Sequence, residues 1–182
     1  MTASPHFVLL AGRPALDLCN TRIGERDLLG STEDLGRWFS AALAADPPPA
    51  ISRRELAAAR DLRDGLRPAL LDADGAAVAS IARDWLDGAP GRLCIESDLQ
   101  PRFTPRERTS CCLLVAAVLD AVELVRDTPR RVRECANDSC AVLYLDTSRN
   151  RSRRWCSMET CGARSKAQAY YRRHRVDGLR GP

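Results

Sequence analysis

Apolar residues recur at three- and four-residue steps in two segments of the first half of the chain. After Ser31 the apolar positions are Leu35, Trp38, Phe39, Ala42 and Leu43, and after Ser52 they are Leu56, Ala59, Leu62 and Leu66. This spacing places apolar side chains on one face of a helix. Ser52 and Glu55 also have the spacing of a capping box, which starts a helix. We therefore predict two amphipathic helices, the first ending at the D-P-P-P of residues 46–49 and the second ended or kinked at Pro68.

Two further helices are predicted before residue 128. A short one fits the apolar positions Val78, Ile81, Ala82, Trp85 and Leu86. A longer one is expected to begin at Thr104, because T-P-R-E at residues 104–107 offers a Thr cap, Pro at the first helical position and Glu at the third. Residues 111–125 of this helix are apolar on nearly every side, so we expect it to run through the centre of the domain.

Strand signals are few. F-V-L-L-A at residues 7–11 is strand-like and leads into a Gly-Arg-Pro turn, and R-L-C-I-E-S (92–97) with R-F-T (102–104) predicts a strand pair. The expected fold class is α+β and mainly helical. A helical N-terminal domain with a short strand pair is predicted over residues 1–129, and a small C-terminal domain over residues 130–182.

The two predicted domains differ in charge. The chain has 13 basic and 5 acidic residues from Arg130 onward, and 15 basic and 19 acidic residues before it. An acidic body with a basic arm suits a polyanionic partner such as nucleic acid.

The chain also carries signals of location. Its first residues have no Lys or Arg ahead of the short apolar run, unlike a signal peptide, and no segment approaches the roughly 18 apolar residues of a membrane span. A cytoplasmic location without membrane contact is expected.

Four of the eight cysteines have the spacing of a metal site. They read C-x4-C-x15-C-x4-C and are Cys135, Cys140, Cys156 and Cys161. Two disulfides or four buried thiols are alternatives, but disulfides are rare in a reducing compartment. Four thiolates about 2.3 Å from one ion complete a tetrahedral zinc shell, which leaves no position for water. We predict one structural Zn²⁺ per chain. The remaining cysteines, Cys19, Cys94, Cys111 and Cys112, have apolar neighbours and are expected in the core.

The chain between and after these cysteines predicts a compact zinc-binding unit. Residues 141–146 read as a short strand and residues 147–155 as a loop. Residues five apart on an α-helix lie about 140° apart, so neither cysteine pair fits wholly within a helix. We place Cys156 just before a helix capped by Ser157, with Cys161 on its first turn. This order resembles a treble clef.

The residues L-Y-L-D-T-S-R-N-R-S-R-R-W-C-S-M-E-T-C-G-A-R-S-K resemble the CGNR-type zinc finger, found at the C-terminus of bacterial proteins regarded as stress-response transcription regulators. A-L-D-L-C-N-T, residues 15–21, is similar to the L-D-x-x-N-T signature that opens the helical domain fused to that finger. The resemblance covers essentially the whole chain and implies its two-domain architecture. Ala163 stands where the family has Asn, so a hydrogen bond made by that Asn is lost here.

Basic residues surround the predicted metal site. The candidate nucleic-acid contacts are Arg149, Arg151, Arg153 and Arg154 in the loop and Arg164, Lys166, Arg172, Arg173 and Arg175 on the final helix. The alternative is a solvated basic face. Gly162 at the start of this helix fits either close approach to a phosphate or tight packing. On the final helix, Ala167, Tyr170 and His174 share one face, which we expect to pack inward.

Asp17 and Asn20 are polar residues among apolar neighbours. They could line a ligand pocket or cap and turn the chain, and capping is the more common use of such residues.

These features favour a DNA-binding transcription regulator whose N-terminal domain senses a small-molecule effector or pairs with a second copy. One alternative is an interaction module whose finger binds protein or RNA. The other, with weaker support, is an enzyme acting through the N-terminal domain. Because we find no catalytic triad, phosphate loop or dinucleotide fingerprint, we expect no enzymatic activity.

Overall fold

The computed structural model describes residues 7–9, 12–95, 97, 99, 101–107 and 109–177. Its helices are α1 (Pro14–Cys19), α2 (Thr32–Leu43), α3 (Arg53–Leu71), α4 (Gly75–Gly88), α5 (Ser110–Asp127) and α6 (Ala163–Asp177), the last preceded by a π-helical turn at Met158–Gly162. Three antiparallel strand pairs join β1 (Arg22–Ile23) to β2 (Arg26–Asp27), β3 (Gly91–Ile95) to β4 (Pro101–Pro105) and β5 (Val132–Glu134) to β6 (Leu143–Leu145). The predicted α+β, mainly helical class is confirmed.

The long apolar helix α5 lies at the centre of the fold, as its sequence predicts. It packs against α1, α2, α3 and α4. Its buried apolar residues are Leu114, Val115, Ala117, Val118, Ala121 and Leu124. Burial of side chains on several faces of one helix is what an all-round apolar sequence requires.

Capping boxes start α2 and α3. At α3, Glu55 N–H donates to Ser52 Oγ at 3.2 Å, and Ser52 N–H donates to Glu55 Oε2 at 2.8 Å. Ser31 and Asp34 form the same arrangement at α2. Pro68 does not end α3, because the helix continues to Leu71. Pro68 lies in the last turn of the helix, where its missing N–H removes only one hydrogen bond near the terminus.

The helix start predicted at Thr104 is wrong. Thr104 and Pro105 belong to β4, where they pair with Arg92 and Gly91 of β3. The cap of α5 is Thr109, whose Oγ1 accepts the N–H of Cys112 at 3.3 Å. The local T-P-R-E signal was overridden because Thr104 and Pro105 pair with β3.

The strand predicted at residues 7–11 is not formed in its described part, Phe7–Leu9, while Leu10 and Ala11 lie outside the described residues. Two of the four cysteines expected in the core, Cys19 and Cys112, are buried, and the other two are partly exposed. Among the described helices, none has the length and apolar character needed to cross a membrane.

We call α1 to α5 with β1 to β4 the body, and the chain from β5 onward the finger. Val132 of β5 and Leu143 of β6 are buried in the same apolar core as α1, α3 and α5. The domain boundary predicted after residue 129 lies in the turn between α5 and β5 and stays a prediction. Because both sides share one core, the body holds the finger in a defined position.

Candidate metal centre and nucleic-acid interface

The first cysteine pair lies in a tight turn between β5 and β6. Cys135 N–H donates to Val142 O at 2.9 Å, which closes the turn at the end of the strand pair. Within it, Asn137 Oδ1 accepts the backbone N–H of Ser139 at 3.1 Å, and Cys140 N–H donates to Asn137 O at 2.8 Å. This Asx-type turn brings the two sulfurs of the C-A-N-D-S-C stretch to one side.

The second pair spans the start of the final helical segment. Ser157 is the N-cap, and its Oγ accepts the N–H of Thr160 at 3.3 Å. The next five residues form a π-helical turn, in which Gly162 N–H donates to Ser157 O at 2.9 Å. Because this turn is wider than an α-helical one, Cys161 lies back towards Cys156. The predicted placement of both cysteines around a Ser157 cap is confirmed.

The four sulfurs form one compact cluster, with all Sγ atoms within 4.8 Å of one another. Cys156 Sγ lies 3.6 Å from Cys140 Sγ and 3.7 Å from Cys161 Sγ. Four sulfurs placed tetrahedrally about 2.3 Å from a zinc ion would be about 3.8 Å apart. The geometry and the all-thiol donor set fit Zn²⁺, and the four cysteines form a zinc-binding site. A fully thiolate shell gives the ion a structural role, since it leaves no position for a substrate.

Two of the four thiols resist ionisation when no cation is bound. Burial and the neighbouring sulfurs of Cys161 and Cys135 raise the pKa of Cys140 to about 11, and burial with neighbouring thiols raises the pKa of Cys156 as well. Burial opposes ionisation of Cys135 too, but backbone N–H groups of Cys156 and Asn137 hold the pKa of that thiol below its usual value. A bound zinc ion deprotonates its thiol ligands, and its positive charge offsets the repulsion between the resulting thiolates.

Asp146 organises the arginine-rich loop that joins the two cysteine pairs. Its side chain is fully buried at the end of β6. Oδ1 accepts the backbone N–H of Ser148 at 2.9 Å, and Oδ2 accepts the N–H of Arg153 at 3.3 Å. Burial would raise the pKa of Asp146, but the hydrogen bonds from Ser148 and Arg153 hold it below its usual range. A buried carboxylate therefore fixes both ends of the loop.

Sequence reasoning did not single out Asp146. The D-T-S stretch contained a usable signal, because Asp side chains often bind the N–H two residues later.

The four predicted loop arginines do not share one role. Arg149, Arg151 and Arg154 are exposed. Arg153 is half-buried, its Nε donates to Trp155 O at 2.9 Å, and its Nη2 also contacts Cys156 O. Its guanidinium lies over the Tyr144 ring, 4.7 Å from the centroid. Arg153 is thus part of the finger's internal framework. Arg149 and Arg151 face solvent, and the exposed Arg154 places its guanidinium 5.4 Å from the centroid of the Trp155 ring.

Helix α6 carries the remaining predicted contacts. Arg164 and Lys166 are exposed on its first turn, and the side chains of Arg172, Arg173 and Arg175 lie outside the described part of the structure. Ala163 is also exposed, so the family Asn would face solvent at this position.

The prediction that Ala167, Tyr170 and His174 pack inward is wrong. All three are exposed, and the Tyr170 and His174 rings stack on each other at 3.9 Å. Their spacing is helical, but within the described part of the chain the main neighbour of α6 is the π-helical turn that precedes it, and these three side chains stay exposed.

Gly162 is buried and tightly packed. An added Cβ would lie 3.2 Å from Met158 Sδ and 3.6 Å from Ser157 O. Of the two explanations offered for Gly162, the close contact matches tight packing. The neighbours are Ser157 and Met158 of the same helical turn.

The two candidate ligand residues of the body, Asp17 and Asn20, are buried in and just after α1. Asn20 Nδ2 donates to Leu143 O at 2.9 Å, and Asn20 Oδ1 accepts the N–H of Leu143 at 2.7 Å. Asp17 O accepts from Trp38 Nε1 at 3.4 Å. Both polar groups of the Asn20 side chain are therefore used in hydrogen bonds that hold the finger against the body.

The comparisons with known proteins agree with this architecture. The family model described as "CGNR zinc finger" matches residues 131–174. The family model described as "ABATE: Putative stress-induced transcription regulator" matches residues 12–128. No curated protein matches the chain at a significant level. Because the second family model alone spans more than half of the chain, the protein belongs to the ABATE family and carries a CGNR zinc finger at its C-terminal side.

Proposed function

We propose that the protein is a cytoplasmic, zinc-dependent regulator of transcription that binds duplex DNA through its finger and has no enzymatic activity. The observation that carries this proposal is the arginine-rich loop, which presents three exposed guanidinium groups from a backbone held by Asp146 and by the zinc-binding cysteines. A pre-ordered loop loses little conformational entropy on binding. Most of the favourable free energy from its contacts with phosphates therefore contributes to affinity.

The N-terminus of the final helical segment supports the same proposal. It begins at Ser157 beside the zinc site, and free backbone N–H groups at a helix start favour a phosphate. Arg164 and Lys166 are exposed on the following turns. Contacts of this kind position a protein on DNA without reading the bases, so we expect modest sequence preference.

The experiment replaces Arg149, Arg151 and Arg154 together by Ala in zinc-loaded protein and measures duplex affinity between about 50 and 200 mM salt. Each phosphate contact contributes a slope of about −0.9 in log K against log salt, so the slope should flatten by up to about 2.7. A matched control replaces Arg53, Arg54 and Arg83 of the body, which are also exposed, and removes the same charge. A wild-type slope in the loop variant, or equal flattening in both variants, contradicts the proposal.

A second candidate is binding of RNA or single-stranded nucleic acid. Tyr170 and Tyr171 are 53% and 70% exposed on a basic helix. Exposed aromatic rings beside cationic groups can stack on unpaired bases. Competition between labelled duplex DNA and unlabelled RNA separates the two candidates, since tighter binding of RNA that is lost on Tyr170→Ala with Tyr171→Ala would favour the second.

The body is proposed to supply the regulatory input. An open groove of about 910 Å³ beside α2, lined by residues such as Gly36, Pro47 and Ile51, is large enough for a small-molecule effector. On the β3–β4 pair, Leu93 and Ile95 are 48% and 63% exposed, which supports self-association into a homodimer.

A further inference from the structure

A small polar crevice lies where α3 of the body meets the finger. Its volume is about 330 Å³, and it is lined by Arg22, Gly24, Asp64, Arg67 and Ala141. The first four residues belong to the body and Ala141 to the finger. A group bound in this crevice would therefore touch both parts of the molecule.

Arg67 is the central side chain of the crevice. Its Nη2 donates to Glu134 Oε2 at 2.7 Å and to Ala141 O at 2.6 Å, so this nitrogen joins the body to the finger. Its Nη1 is buried and has no hydrogen-bond partner among the residues that the structure describes. A buried charged donor without a partner is costly, which favours an acceptor from outside the chain.

The charges around the crevice are unbalanced. Within the described residues, ion pairs in this region join four guanidinium groups to only three carboxylates. The guanidinium groups are those of Arg22, Arg60, Arg63 and Arg67, and the carboxylates are those of Asp27, Asp64 and Glu134. Asp64 lines the crevice, but Oδ1 lies 2.9 Å from Arg63 Nε, and Oδ2 lies 3.2 Å from Arg22 Nη1. The local excess is positive.

The crevice also has room on its outer side. Gly24 has a left-handed backbone with φ +58°, and a Cβ built there would meet nothing within 4 Å. Arg22 lines the crevice, is about half exposed and uses one Nη in its ion pair, so its other nitrogens can donate to a ligand. Two arginines, Arg22 and Arg67, thus line one small space, and each has guanidinium donors beyond those used in its ion pair.

We propose that this crevice is a binding site for a small oxyanion, a carboxylate or phosphate group, held between Arg22 and Arg67. Guanidinium groups bind both anions with charge-assisted hydrogen bonds. Because Arg67 already contacts Glu134 and Ala141, the bound anion would strengthen the connection between body and finger. The site does not depend on binding of DNA.

The test uses calorimetric titration of the zinc-loaded full chain with inorganic phosphate and, separately, with acetate at constant ionic strength. We expect saturable binding at one site per chain for at least one anion, and the tighter of the two identifies the group. Arg22→Gln should weaken binding roughly tenfold or more, since a hydrogen bond to a charged group is lost. Its unliganded thermal unfolding should be unchanged, because the Arg22–Asp64 pair is exposed.

Two controls separate this site from other basic surfaces. Arg54→Gln removes an exposed charge at the far end of α3 and should leave anion binding unchanged. Replacement of Arg149 and Arg154 by Ala removes the loop charges and should also leave it unchanged. The proposal is overturned by absence of saturable binding of either anion, by wild-type affinity in Arg22→Gln, or by loss of binding in the loop variant.

Discussion

Arg153 and Tyr144 contact each other twice within the finger. The guanidinium carbon of Arg153 lies 4.7 Å from the centroid of the Tyr144 ring, and Tyr144 Oη donates a hydrogen bond to Arg153 O at 2.6 Å. Tyr144 is buried beside Cys135 and Cys161, so this contact connects the arginine loop to the metal site. One arginine of the loop is therefore used to build the surface that the others present.

Arg153→Ala should destabilise the finger by about 1–3 kcal/mol, because it removes a cation–π contact and hydrogen bonds to two backbone carbonyls. The measurement is the rate of zinc release to a chelator, which should rise. Arg153→Lys should not restore the wild-type rate, since an ammonium group cannot reproduce the planar guanidinium contacts. The control is Arg149→Ala, an exposed residue of the same loop. Unchanged zinc release in Arg153→Ala would show that Arg153 acts only as a surface charge.

Removal of zinc should affect more than the finger. Structural zinc contributes on the order of 10 kcal/mol to the folding of a small finger, so chelation should unfold residues 130–175. If the two predicted domains folded independently, the body would be unaffected. Because Val132 and Leu143 are buried in the body's core, we now expect hydrogen exchange to increase around Asn20 and at the end of α3 as well.

Cys161→Ser should reproduce the effect of chelation, whereas Cys94→Ser, outside the metal cluster, should not. Full protection of the amides in α1 and α3 after zinc removal would argue that the finger and the body fold independently.

Asn20→Ala should destabilise the zinc-loaded protein by about 2–5 kcal/mol. It removes both hydrogen-bond partners of Leu143 from a site where Asn20 is 1% exposed. Each buried backbone group left unpaired costs about 1–3 kcal/mol. Urea unfolding measures the change, with Asn150→Ala in the exposed loop as the matched control. A loss no greater than that of the control would mean that water replaces the amide without penalty.

The stability of the body should depend on the protonation of Asp120. Burial raises the pKa of Asp120 to about 6, although the N–H of Ala15 and the charge of Arg13 act in the opposite direction. The folded chain thus holds this proton more tightly than the unfolded chain, whose Asp pKa is about 3.9. The stabilising contribution of the group is fully present below that unfolded value and is lost as the pH rises through about 6.

Asp120→Asn removes this titration. Unfolding free energies measured in urea between about pH 4 and pH 7 should show the wild type losing about 2–3 kcal/mol relative to the variant. Asp84→Asn on the exposed side of α4 is the control. A difference between wild type and Asp120→Asn that stays constant over this range would assign Asp120 an ordinary pKa.

Local patterns predicted the elements whose cause is local. The periodicity after Ser31 and Ser52 found two amphipathic helices, and the cysteine spacing found the metal site, because a ligand pair on a short turn needs only nearby residues. The T-P-R-E signal failed at Thr104 because β3 supplied a competing partner for the backbone. The prediction that Tyr170 packs inward failed because helical spacing shows only that an apolar face exists. It does not show which element covers that face.

The roles of Asn20 and Arg153 could not be predicted from the sequence, for a different reason. Asn20 bonds to Leu143, which is 123 residues away in the chain. No local pattern encodes such a distance. The loop has four arginines that look alike in the sequence, and Arg153 differs from the others through its contacts with the Tyr144 ring and with the carbonyls of Trp155 and Cys156.

The amide of Asn20 also closes the outer edge of β6. Leu143 directs its N–H and C=O away from β5, and both groups are occupied by one side chain of the body. An open strand edge can pair with a strand of another molecule, which is a common start of aggregation. When the finger loosens from the body, this edge becomes available at the same time. We therefore expect Asn20→Ala to increase aggregation of the protein at high concentration.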